Sequence, residues 1–278
     1  MQVLSSNTIS DALLVSIPRL ASILPPDILE ALIAARDRET HERAKIVLDQ
    51  LVLNAQIANE DHVPICQDTG TVWLCLEVGP DIALNANVFS KVDQSVAAGF
   101  INSKLRKSVV RDALFDRTNT GDNTPAFCEL RLVDEPGVAR LHMMLKGGGS
   151  DNASRVVMLT PNAGKQGVID TVLSCVEEKA ANACPPLVVG VGVGGTFDKV
   201  AGLSKLALMR PLNVAAPDPE TAIRAGAARG YQCHRHRRWR LGRRHHRARR
   251  TRENCTLPYR CLAGSGEYGL LGVEEAHR

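Results

Sequence analysis

No apolar run in this sequence approaches the roughly 18 residues that a membrane span needs. The N-terminus, MQVLSSNTISDALL, has neither a basic leader nor a small-residue cleavage site, so no signal peptide is expected and the expected address is cytoplasmic. No C-x-x-C pair occurs among the eight cysteines, which removes the zinc-ribbon and thioredoxin readings. No internal repeat is present either.

What is present is an ordinary globular composition, 44% hydrophobic over 278 residues, enough for one large domain or two modest ones around an apolar core. Without an export signal, the cysteines at 66, 75, 128, 175, 184, 233, 255 and 261 read as thiols, metal ligands or catalytic groups rather than disulfides. The net charge of +4 hides an asymmetry. Residues 1–220 hold 20 Lys/Arg against 26 Asp/Glu, whereas residues 221–278 hold 14 against 4 and five of the eight histidines. Such a contrast ordinarily marks a basic arm for nucleic acid.

Residues 9–60 read as helical: Ile28, Leu29, Leu32 and Ile33, then Ile46, Val47, Leu51 and Leu53, recur at helical spacing, with Pro25-Pro26 as punctuation. Thr71–Val78 reads as a strand after the turn-like Gln67-Asp68-Thr69-Gly70. Phe127–Val133 and Val138–Leu145 read as strands of a hairpin through Asp134-Glu135-Pro136-Gly137. Gly167–Ala181 reads as a helix, Leu187–Val193 as a buried strand and Phe197–Met209 as a helix ended by Pro211. The expected fold is mixed α/β, an N-terminal helical layer followed by a sheet-and-helix body. Beyond about Glu220 apolar periodicity is almost absent, and a disordered or poorly packed basic tail with at most short helices is expected.

Four segments combine polar side chains with glycine in ways a core does not require: PICQDTGT (64–71), NTGDNTP (119–125), KGGGSDN (146–152), and ACPP (183–186) leading into GVGVGGT (190–196). Each has a bland alternative. Cys66 alone could be a small buried hydrophobe, Gln67-Asp68-Thr69-Gly70 a turn, and the Asn/Asp-rich stretch a self-bonded loop. Three glycines after Lys146 ask for more, since they cost backbone entropy; close approach of main chain to a ligand is the natural reason. Gly190, Gly192 and Gly195 satisfy G-x-G-x-x-G, but late in the chain and with no acid-ended strand following, so a dinucleotide site is poorly supported.

Taken together and in order, ICQDTGT, NTGDNTPA, KGGGS-D-N followed by MLTP, and CPPLVVGVGVGGT resemble the signature blocks of class I iron–sulfur fumarases and L(+)-tartrate dehydratases, over about residues 10–220. The resemblance is to the α subunit, the cluster-binding part. It implies a hydro-lyase acting on a small 2-hydroxy dicarboxylate, with fumarate/malate and tartrate/oxaloacetate both open. It implies a [4Fe–4S] cluster on three cysteines, with Cys66 and Cys184 matching two of them and one iron left open as a Lewis acid. Asp68 matches an acid/base position, Gln67 a substrate contact and Arg106 a carboxylate fork. The Gly147–Gly149 run would turn backbone N–H groups toward a carboxylate or the cluster, making Gly148 and Gly149 substrate-binding. Cys75, Cys128 and Cys175 match no ligand position and read as packing residues. A separate β subunit completing the site, and hence a hetero-oligomer, is implied as well.

The resemblance breaks after residue 220, where the family continues with a Gly-rich I-N-A-x-G-I-G segment and then H-C-H-T-A. Reading the codons implied by Tyr231–Arg247 and Thr256–Leu271 one base later permits both family segments; His245-His246, for example, can give only Ile or Thr. A reading frame lost near Thr221–Arg224 accounts for the Arg/His richness, makes Cys233, Cys255 and Cys261 accidental, and removes the third cluster ligand. The domain expectation is therefore a catalytic domain over 1–222 and an aberrant tail over 223–278. Two other readings of that tail exist. Its twelve arginines between 229 and 260 could grip nucleic acid, though without aromatic interleaving or a recognised motif. Cys233, His234, His236, His245 and His246 could bind a metal, though at no standard zinc spacing.

Overall fold

The computed structural model describes residues 2–184, 186–212 and 214, together with the backbone of three C-terminal strands. In chain order the elements are β1 (Gln2–Leu4), α1 (Ser6–Ser22), α2 (Pro26–Arg38), α3 (Glu42–Asp61), β2 (Thr71–Val78), β3 (Ile82–Leu84), α4 (Val92–Asn102), β4 (Phe127–Leu132) and β5 (Ala139–Lys146). They continue with α5 (Gly148–Asn152), α6 (Gly164–Lys179), β6 (Val189–Gly192), α7 (Phe197–Leu208), β7 (Tyr259–Leu262), β8 (Glu267–Leu270) and β9 (Gly272–His277). Two compact units result: Met1–Pro25, Asn54–Asn152 and Leu271–Arg278 form the first, Pro26–Leu53 and Ala153–Leu270 the second. The mixed α/β class expected from the sequence is the class observed.

The first unit is built on a four-stranded sheet in the order β4-β2-β5-β9, β2 lying parallel to β4 and antiparallel to β5. Alternation along β2 and β5 sends Val72, Leu74, Leu76 and Val78, with Leu141, Met143 and Leu145, to one face. Against that face pack Ile9, Leu13, Ile17 and Leu20 of α1 and Val92, Val96 and Phe100 of α4, each set spaced three or four residues apart. Fully burying such a side chain contributes roughly 1.5–3 kcal/mol, so this cluster is the main stabilising mass of the unit. Trp73 and Cys75 on the other face of β2 are buried too, which explains why TVWLCLEV reads as an almost unbroken apolar run.

Three expectations change here. The stretch Ser6–Arg38 is long and apolar enough, by length and composition alone, to cross a membrane. It is nevertheless two helices broken at Ile23–Pro25, and α1 commits its apolar stripe to the core just described. Second, β4 and β5 do not form a hairpin with each other, because β2 lies between them and pairs with both. The 134–137 turn instead passes over the end of β2. Gly79 permits this: a Cβ there would sit 2.1 Å from the Glu135 carbonyl oxygen. Gly137 N, on a left-handed φ of 75°, donates to Asp81 Oδ1. Third, α4 has no counterpart in the sequence reading. Its Gly99 weakens the helical signal, yet a side chain there would press on Ile17 of α1 at 2.9 Å, so tertiary packing demands the glycine.

In the second unit α2 buries none of its side chains, and on α3 the periodic Ile46, Val47 and Leu53 are exposed. The helices were legible, their buried faces were not. The core of this unit is instead Ala153, Val172, Cys175, Val176, Ala183, Leu187, Val189 and Val191. Strand β6 pairs parallel with β7 and antiparallel with β8, and α7 lies directly on it. A Cβ at Gly190 would stand 2.3 Å from the Ser204 carbonyl oxygen, and one at Gly192 would stand 2.8 Å from that of Val200. Close helix–strand contact thus accounts for two glycines of the G-x-G-x-x-G pattern. Gly190→Ala is expected to destabilise the chain by about 1–3 kcal/mol through overpacking, read as a lower urea midpoint at unchanged slope.

Residues 215–258, which include most of the basic tail, lie outside the described residues, and with them Cys233, His234, His236, His245, His246 and Cys255. The backbone described further on is extended but paired, with β7 and β8 on β6 and β9 on β5, where an extended or poorly packed tail with at most short helices is expected.

Candidate active site

The CQDTG loop, between α3 and β2, is fastened at its start by two hydrogen bonds to the main chain of Ile65. Ile65 N donates to the Ala21 carbonyl at 2.9 Å, and Asn54 Nδ2 donates to the Ile65 carbonyl at 2.9 Å. Beyond this anchor Cys66 and Gln67 are exposed, Asp68 is half-buried, and Thr69 and Gly70 are buried. The Asp68 amide donates to Cys66 Sγ at 3.4 Å, and the thiol lies 3.5 Å from Gln67 Oε1. The sulfur is thus exposed and contacted by a main-chain N–H from one side only among the described residues.

Asp68 is the centre of the arrangement. Its Oδ1 accepts from Gly70 N at 3.1 Å and its Oδ2 from Gly148 N at 2.9 Å, so each carboxylate oxygen is held by one main-chain donor. Gly70 has a φ of 67°, and a Cβ there would lie 2.3 Å from the Lys146 carbonyl oxygen. Only glycine lets the loop lie against the end of β5, which brings residue 68 to residue 148. Behind Gly148, Lys146 is 1% exposed and donates from Nζ to Ser150 Oγ at 2.6 Å, while Ser150 Oγ donates to the Gly147 carbonyl at 2.8 Å. The glycine run is thereby fixed from beneath.

The segment Arg106-Lys107-Ser108 closes a second side. Thr69 Oγ1 donates to the Arg106 carbonyl, and Arg106 Nη1 reaches the Gln67 carbonyl at 3.4 Å, leaving most of the exposed guanidinium to solvent. The NTGDNTP loop arrives through Asn119 Nδ2, which donates to the Lys107 carbonyl at 2.9 Å. It arrives also through Asn123, whose carboxamide bonds both Ser108 and Gly70. Three of the four polar segments therefore meet in the first unit, with Cys66, Gln67, Asp68, Arg106 and Gly148 at one place. Gly149 is exposed beside them. One expected detail is refined: of the Gly147–Gly149 N–H groups, expected to face a carboxylate or the cluster, that of Gly148 donates to the chain's own Asp68 carboxylate.

The fourth segment belongs to the second unit. Cys184 is exposed at a left-handed φ of 54°, after a short 3-10 turn at Ala180–Asn182. Among the described residues no three His, Cys, Asp or Glu side chains gather as a metal group. Cys66 in the first unit and Cys184 in the second are each an exposed free thiol. The other described cysteines are poor ligands. Burial, and then the Glu129 carboxylate, push the Cys75 thiol up to about 12; burial also raises Cys175, whose Sγ donates to the Ala153 carbonyl. Cys128 departs from its expected packing role, being exposed on the edge strand β4, although desolvation of its sulfur and the nearby Asp93 push it up to about 11. At pH 8 all three stay protonated. Iodoacetamide at that pH should leave peptides containing Cys75, Cys128 and Cys175 unlabelled, Cys128 becoming reactive as pH approaches 11, as read by mass spectrometry.

A family model described as fumarate hydratase (Fumerase) matches residues 12–239. The chain belongs to the fumarate hydratase family. The match runs past Glu220, where the motif resemblance ends. Among curated relatives, the L(+)-tartrate dehydratase subunit alpha of Escherichia coli O157:H7 is 32% identical over 202 residues, covering 72% of this chain and 66% of that protein. A Methanocaldococcus jannaschii protein, provisionally named as the same subunit, is 34% identical over 222 residues, 77% of this chain and 76% of its own length. The chain thus spans somewhat less than two thirds of the bacterial relative.

Sequence reasoning did not single out Asn123, Thr69, Lys146 or Ser150 within this family's site. They lay inside the quoted motifs, but only contact distances reveal which of them bind one loop to another.

Proposed function

We propose that the chain is the α subunit of a hydro-lyase that adds water to, or eliminates it from, a small 2-hydroxy dicarboxylate. The observation that carries this reading is the Asp68 carboxylate, held by one main-chain N–H on each oxygen, with the Cys66 thiol and the Arg106 guanidinium beside it. Asp68 moves the proton at the reacting carbons; its two N–H partners fix the plane of the carboxylate and leave lone pairs free toward solvent and substrate. Arg106 takes a substrate carboxylate through its open donors, and Gln67 and Gly149 line the same mouth.

Cys66 and Cys184 are proposed as two ligands of a [4Fe–4S] cluster. When bound, an iron free of thiolate supplies a Lewis acid to the substrate hydroxyl. The third ligand is assigned to the family segment lost with the reading frame near Thr221–Arg224. A separate β subunit completes the site in a hetero-oligomer, a role supported by relatives named as α subunits, and the address is the cytoplasm.

The test is co-expression, with a tartrate-dehydratase-type β subunit, of the chain as encoded and of one whose codons after 221 are returned to frame. Anaerobically purified, the restored complex should be brown, absorb near 400 nm, carry about four iron per α subunit, and dehydrate malate or L(+)-tartrate. The encoded chain should be colourless. A colourless restored complex, or a brown encoded one, overturns the respective half of the reading.

A further inference from the structure

We infer that Asn123 is the positioning residue that holds Asp68 in its working orientation. Asn123 is fully buried, and each of its polar ends has a defined partner. Oδ1 accepts from Ser108 N at 2.8 Å and Nδ2 donates to the Gly70 carbonyl at 3.0 Å, while its own amide donates to Thr120 Oγ1 at 3.2 Å. A main-chain N–H on one side and a main-chain carbonyl on the other fix which end of the carboxamide is oxygen. One side chain thereby joins the Arg106–Ser108 segment to the CQDTG loop, 15 and 53 residues away in sequence.

The link to Asp68 passes through a single residue. Gly70 gives its carbonyl to Asn123 and its N–H to Asp68 Oδ1. A glycine at φ 67° has no side chain to restrain it, so its orientation must be imposed from outside. Asn123 imposes it from one side and the close-packed Lys146 carbonyl from the other. With Gly70 fixed, Asp68 Oδ1 is fixed, and Oδ2 remains aligned on Gly148 N. Asparagine suits the place for two reasons. It tolerates the left-handed φ of 67° that residue 123 adopts, and its carboxamide carries its donor and its acceptor on separate atoms, one for each segment. Aspartate would keep the acceptor and lose the donor to Gly70. A merely structural asparagine would satisfy its buried polar atoms without influencing Asp68.

The inference rests on Asp68 being the proton-moving group, but its test does not. Hydrogen exchange is measured residue by residue on the full chain and on Asn123→Gly, which keeps the left-handed backbone without strain. The amides of Gly70 and Gly148, on opposite sides of Asp68, should exchange about tenfold faster or more, while those of Val72–Val78 in β2 are unchanged. In Asn123→Asp both glycine amides should again accelerate, but Ser108, which keeps its acceptor, should stay protected. Unchanged exchange at Gly148, or equal acceleration throughout β2, overturns the inference and leaves Asn123 a structural residue. Should neither variant fold, the unaltered chain decides: protection at Gly70 and Gly148 must match, and a hundredfold difference refutes a common clamp. Failure of the Asp68 reading shows separately, as unchanged turnover in Asp68→Asn.

Discussion

Asp68→Asn is expected to lower turnover of the frame-restored complex about 100-fold or more while the fold is retained. The replacement is nearly isosteric, so the core cluster of α1, β2, α4 and β5 is untouched. An amide, however, takes no proton at the pH of the reaction. It also accepts from only one of the two N–H groups that face residue 68, because its NH2 end meets the other as donor against donor. The effect should therefore fall on kcat, with far-UV circular dichroism like that of the parent and a thermal midpoint about 2–4 °C lower from the lost hydrogen bond. Arg106→Lys is the contrast. A point charge replaces a planar fork, so KM should rise with kcat little altered. Steady-state kinetics on both variants, with fumarate, malate and L(+)-tartrate, checks the pair. Full turnover in Asp68→Asn would place the acid/base elsewhere.

Cys66→Ser and Cys184→Ser should each abolish iron binding and with it all activity, whereas Cys128→Ser should leave both nearly unchanged. A serine hydroxyl is a poor substitute for a thiolate toward a cluster. Cys66 and Cys184 are exposed, and Cys66 has a main-chain N–H directed at sulfur. Cys128 is exposed as well, so exposure alone does not separate the three. What does is sequence context: Cys66 and Cys184 stand in the ICQDTGT and CPP blocks, whereas Cys128 stands in neither, and desolvation pushes its thiol up to about 11. Iron analysis after anaerobic purification gives the answer, and a full complement of iron in Cys184→Ser would remove that residue from the ligand set.

Much of the fold could be read from local pattern. The β2 strand is found where TVWLCLEV places it, and α6, β6 and α7 lie within a few residues of their expected bounds. These are segments whose apolar period survives in the final packing. The failures are of another kind. The 134–137 turn carries every local mark of a hairpin, yet β4 pairs parallel to β2, and no local property of Asp134-Glu135-Pro136-Gly137 reports that a third strand will lie between. Helices α2 and α3 have the right spacing, but Ile46 and Leu53 face outward, since period alone does not say which face meets a core.

The candidate site divides along the same line. The sequence by itself determined its chemistry: a thiol, a carboxylate, a guanidinium and a glycine run, quoted as Cys66, Asp68, Arg106 and Gly147–Gly149, in motifs that name the family. Residue types and short spacings are encoded in neighbouring positions, and neighbouring positions are what a sequence displays. Only the tertiary structure decided how the groups are used. It gave the Gly148 N–H to Asp68, passed Gly70 under the Lys146 carbonyl with no room for a Cβ, and drew Ser108 and Gly70 onto one buried carboxamide at Asn123. Each of these links joins residues 15 to 80 positions apart, and each exists because a hydrogen bond or a steric limit acts over about 3 Å of space whatever the separation along the chain.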